Sequence, residues 1–127
     1  MNRSLEVNGF DIDKIEKIIK VCENKQDDNI SQDIYGVIYS LGRDRSNDEE
    51  YKYAYTILLK LCKHANSHVR ACSILALSLM ADSNILEKDV IIQIIKQEWE
   101  ENKKYREIIH NAAEDIKYKL KWNFTLN

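Results

Sequence analysis

The chain has no proline, and Gly9, Gly36 and Gly42 are its only glycines, so residues that interrupt helices are scarce. Its three cysteines, Cys22, Cys62 and Cys72, form an odd set without a CxxC spacing, which speaks against a disulfide framework or a redox pair. Free thiols in a reducing cytoplasm are the expectation, since the opening MNRSLEVNGFDIDK lacks the basic-then-apolar pattern of a secretory leader. The longest apolar stretches, near Ile74 to Ala81 and Val90 to Ile95, fall far short of the ~18 residues of a membrane span. A dominant charge is missing too. With 19 basic against 21 acidic residues, a net charge of -2 and a pI near 5.9, the surface has no field that would draw it to nucleic acid. There is no glycine-rich phosphate loop, no HExxH, no nucleophile elbow, and no serine or cysteine with a histidine at a telling distance. No enzymatic activity and no cofactor are therefore expected.

What is present reads as one helical domain over residues 1–127, of which 44% are hydrophobic and 31% charged. Ile12, Ile15, Ile18, Ile19 and Cys22 recur at spacings of three and four behind Asp11, which predicts a helix near 11 to 24. Ile34, Val37, Ile38 and Leu41 predict a second near 31 to 42, closed by Gly42. Ser46 and Glu49 have capping-box spacing ahead of a third, near 47 to 64, whose acidic Asp48, Glu49 and Glu50 suit a helix start. Ser67 is the expected cap of a fourth, near 68 to 81. Two more are expected near 86 to 101 and 103 to 121. No stretch alternates long enough to read as a strand.

These helices repeat at an offset of 36, which carries Val69-Arg70 to Tyr105-Arg106, Asn66 to Asn102, Ala76-Leu77 to Ala112-Ala113 and Met80 to Ile116. Ile18, Ala54 and Val90 also align, as do Cys22, Leu58 and Ile94. Six main helices then form three antiparallel pairs of one unit. One pair alone cannot bury its apolar stripe, so the expected architecture is a short all-α solenoid.

At these positions the chain resembles the HEAT-like repeats, whose second helix opens with Val-Arg and continues through small and aliphatic residues to Ala-Leu-Gly. HVRACSILALSLMA at 68 to 81 supplies Val69, Arg70, Ala76 and Leu77, and Ser40-Leu41-Gly42 matches the end of the pattern. The third repeat matches less well, Ile34 stands where the arginine belongs in the first, and the usual proline kink is missing. The resemblance implies that Arg70 and Arg106 are structural, each tying the turn of one repeat to its neighbour.

Candidate binding residues come from what the helices do not need. Glu98, Glu100 and Glu101 end a helix, where negative charge is unfavourable, and Glu107, Glu114 and Asp115 lie on the next. Together with Trp99 and Tyr105 they nominate an acidic, aromatic partner-binding patch of Glu98, Glu101, Glu107, Glu114 and Asp115. Tyr35 and Tyr39, four apart beside the apolar stripe of the second helix, are the second candidate. Trp122 and Phe124, beyond the last periodic residue, suit an end cap. Cys62, His64, His68 and Cys72 match no familiar zinc spacing, so no metal is expected.

A repeat protein of this type is expected to bind another protein, with no role for nucleic acid or membrane. A short, acidic, proline-free chain with HEAT-like repeats is similar in general type to the immunity proteins of bacterial toxin systems. That resemblance implies a tight complex with a cognate toxin domain, such as a nuclease, whose basic groove would face the carboxylates. The alternatives are a HEAT-like nucleic-acid-binding or repair module using Lys103, Lys104, Lys117, Lys119 and Lys121, and an adaptor subunit of a larger assembly.

Overall fold

The computed structural model describes Glu16, Lys17, Lys20 and residues 29–44 and 47–126. Among them there are five α-helices and no strand: α1 (Gln32–Arg43), α2 (Asp48–Leu61), α3 (Ser67–Leu79), α4 (Lys88–Glu101) and α5 (Arg106–Leu120). A 3-10 turn, Lys103–Tyr105, leads into α5. Of the helix expected near 11 to 24, only Glu16, Lys17 and Lys20 are described, as helical and exposed; Asp11, Ile12, Ile15, Ile18, Ile19 and Cys22 lie outside the described residues.

The starts of the helices arise from capping chemistry. Ser31 accepts the Ile34 amide, Asn47 the Glu50 amide and Asn66 the Val69 amide. Two expectations are thereby corrected. Asn47 caps α2 in place of the Ser46 box, and Asn66 caps α3, which leaves Ser67 as a helical residue. Serine and asparagine are about equally good caps, so sequence alone does not decide a one-residue shift. The final turn of α5 ends at Lys121, whose φ of 59° is in the left-handed region and reverses the chain, returning Phe124 to the core at 6% exposure.

α3 is the central element. It packs most extensively on α1 and α5, one on each side, and also touches α2 and α4. α2 rests on α1 and α3, and α4 on α5 and α3, while α2 and α4 make no extensive contact with each other. This environment explains the composition of α3, whose only basic side chains are His68 and Arg70 and which has no acidic one. Its buried Ser73 and Ser78 donate back to the carbonyls of Val69 and Leu75, which satisfies hydroxyls that water cannot reach. Where α1 crosses α3 the backbones almost touch: a Cβ on Gly42 would stand 2.2 Å from the Ala76 carbonyl oxygen. Leu41, Leu77 and Ala113, one offset apart, are all buried, as are Met80 and Ile116. No helix among the described residues is long and apolar enough to cross a membrane.

Two arginines join the helices at one end. Arg70 donates to the His64 and Ala65 carbonyls in the turn after α2, and its Nε lies 3.0 Å from the buried Glu98 carboxylate on α4. Asn102 also donates to Glu98 and to the Ser67 carbonyl. Arg106 donates to the Trp99 carbonyl at 2.7 Å and lies over the Trp99 ring. Both are structural contacts between the end of one helix and the start of the next.

Candidate groove across three helices

A shallow groove of about 470 Å³ crosses α1, α3 and α5. Leu75 and Leu79 of α3, both half-buried, form its floor. Tyr39 of α1 stands on one side, with Glu114, Asp115 and Tyr118 of α5 on the other. The alignment has a simple origin, because Tyr39, Leu75 and Asn111 stand 36 residues apart on every second helix, as do Leu79 and Asp115. Because α1, α3 and α5 pack side by side, positions 36 apart in the sequence line one groove.

Each wall is held in place. Tyr39 stacks on Tyr35 with ring centroids 5.7 Å apart, and the Arg43 guanidinium lies 5.3 Å from the Tyr39 centroid. Burial raises the Tyr35 phenol above its ordinary pKa, with nearby Cys72 and Tyr39 adding to the effect. Both tyrosines are half-buried, which leaves the Tyr39 edge for the groove. Opposite, Lys117 pairs with Glu114 at 3.3 Å and Lys119 with Asp115 at 3.1 Å. Those pairs are exposed and worth at most ~1 kcal/mol each, so an incoming cation can replace either lysine at little cost. Tyr118 is 75% exposed, a large aromatic surface beside two carboxylates.

The remaining nominated residues are not in this groove. Glu98 is 6% exposed and committed to Arg70 and Asn102, which accounts for its unfavourable place at a helix end. Trp99 lies under Arg106 with His110 at its edge. Tyr105 is buried, stacked face to face on His68 at 4.4 Å, and donates its hydroxyl to Asn29. Glu101 and Glu107 are exposed, and neither lines the groove. The structure thus joins Tyr39, with Tyr35 behind it, to Glu114 and Asp115. Sequence reasoning missed Tyr118, Leu75 and Leu79, although stepping by 36 from Tyr39 would have found Leu75.

The four cysteine and histidine residues around the α2–α3 turn each have their own environment. His64 Nδ1 accepts the Asn66 amide and His68 Nδ1 the Ile30 amide, both at 2.9 Å. Cys62 and Cys72 are free and buried, and burial raises both thiols, Cys72 to about 12, so neither is a ready nucleophile. Among the described residues no group of three His, Cys, Asp or Glu side chains could hold a metal ion. No family model, curated protein or solved structure matches this chain.

Proposed function

We propose that the chain is a protein-binding module of three stacked HEAT-like helix pairs, and that it neutralises a cognate toxin domain by occupying it directly through the α1–α3–α5 groove. The observation that carries this reading is the union of Tyr39, the Leu75–Leu79 floor, Tyr118 and the Glu114–Asp115 pair on one surface. Aromatic anchors over an aliphatic floor supply the buried contact that dominates binding energy, and carboxylates at the edge select a basic partner and speed its approach. The partner segment is therefore one with lysine or arginine beside an apolar residue, as a nuclease-type toxin presents along its substrate groove.

Coexpression with the product of the adjacent open reading frame tests the proposal. A stable complex that protects cells from that product, lost on Tyr39→Ala with Tyr118→Ala, is the expected result. Reversal of Glu114 and Asp115 to lysine should slow association and reduce its dependence on salt. Failure to form a complex, or salt-sensitive binding of duplex DNA in its place, would reject the reading.

A further inference from the structure

A second groove, about 420 Å³, separates α2 from α4 and shares no residue with the first. It exists because α1, α3 and α5 pack closely while α2 and α4 stand apart. Leu59, Val90 and Ile94 make its apolar middle. Val90 is 39% exposed, and among the described residues it and Tyr118 are the only exposed large hydrophobic side chains.

The groove has direction. Arg70 bridges the end of α2, through the His64 carbonyl, to Glu98 near the end of α4, so both helices end on the same side of the molecule. Toward the other side Tyr55 donates to the Glu87 carboxylate at 2.8 Å, and its oxygen accepts the Glu87 amide. A carboxylate therefore marks one end. Lys60 and Lys63 mark the other, and their side chains have no hydrogen-bond or ion-pair partner among the described residues. From Glu87 to Ile94 the groove runs about two helical turns, or ~10 Å.

An apolar centre between a negative and a positive end is complementary to itself after a half-turn. We infer that the α2–α4 groove is a homodimer interface, in which a second copy related by a two-fold axis lays Val90 against Val90 and sets Glu87 opposite the Lys60 and Lys63 of its partner copy. A two-fold contact uses the same patch twice, so each favourable pairing is counted twice. Glu87 can serve both roles, because Tyr55 engages one carboxylate oxygen and the other has no partner among the described residues. The groove runs only ~10 Å along the helices, short for a standard stable interface of ~1,200 Å², so the dimer is reversible. It leaves the α1–α3–α5 groove uncovered, and it stands or falls independently of the toxin reading.

Sedimentation velocity of the full chain from micromolar to millimolar concentration tests this. A reversible monomer–dimer equilibrium is expected, with dimerisation weakened about tenfold or more by Val90→Asp. The double variant Lys60→Glu with Lys63→Glu should be monomeric alone, as should Glu87→Lys, while a mixture of the two should regain dimer because each charge cluster then faces its opposite sign across the interface. The lysine variant alters exposed, unpartnered side chains and keeps the test valid should Val90→Asp unfold. A monomer at every concentration, or a dimer indifferent to Val90→Asp and to the lysine reversals, would overturn the inference.

Discussion

Arg70 and Arg106 occupy one position in consecutive helix pairs, yet they are satisfied in different ways. Arg70 donates to carbonyls of the turn after α2, and Arg106 to the Trp99 carbonyl in the last turn of α4. Arg70 then reaches forward to a buried carboxylate on the next pair, Glu98, whose other contact is Asn102. Arg106 has no carboxylate ahead among the described residues, and its guanidinium lies 4.4 Å from the centroid of the Trp99 ring. One arginine is thus held by an ion pair to a buried carboxylate and the other by an aromatic face, while both side chains stay half-buried. One residue type at positions 36 apart therefore carries different energies, decided by the partner that each finds on α4.

The largest effect that could break this comparison is at the carboxylate. Glu98→Ala leaves Arg70 confined without its counterion, and the expected loss is about 3–5 kcal/mol in denaturant unfolding. A loss no greater than that of Arg106→Ala would dissolve the distinction. Next, Leu77→Ala gives the internal pair the residue that Ala113 supplies in the last pair, and should cost about 2–5 kcal/mol because no larger neighbour fills the space. Arg106→Ala should cost about 1 kcal/mol, the sum of a cation–π contact and one half-exposed hydrogen bond. In a double-mutant cycle Arg70 should couple to Glu98 and not to Arg106.

The smallest effect is at His68, whose equivalent one offset on is Lys104. Burial first, and then the charge of Lys104, hold the imidazole below its ordinary pKa of 6.5, and its neutral Nδ1 accepts the Ile30 amide. Because the folded pKa is the lower one, the unfolded chain takes up the proton first. Stability is accordingly full above about pH 6.5 and declines as pH falls below it. Denaturation midpoints measured between about pH 7.5 and 5.5 should fall in the native chain, and His68→Gln should flatten that slope.

Periodicity made α1 to α5 legible, since each apolar stripe repeats at helical spacing and the chain holds almost no breaker. The shifts at Asn47 and Asn66 arose because neighbouring polar residues compete for one capping role, and only the backbone decides between them. The candidate groove was half legible. Tyr39, Glu114 and Asp115 each stand out in the sequence, but as separate patches, because they are far apart in the chain and meet only when α1, α3 and α5 align. Leu75 and Leu79 carry nothing in the sequence that separates them from the core residues beside them. Glu98 shows the opposite case: its awkward place at a helix end was a sound signal of a partner, and that partner proved to be Arg70, which lies in another helix and could not be read from local spacing.

The close approach at Gly42 bears on whether the repeats are interchangeable. Stepping by 36 from Gly42 gives Ser78 and then Glu114, so the side chain grows from none, to a small buried hydroxyl, to a long exposed carboxylate. With Ala76 pressed against Gly42, a serine or glutamate brought there from another repeat would collide with backbone that cannot yield. A consensus averaged over the three units, or a protein with the order of its units shuffled, should therefore fold worse than the natural arrangement. Segments 36 residues apart share a sequence register without being interchangeable, because each is fitted to its own neighbours.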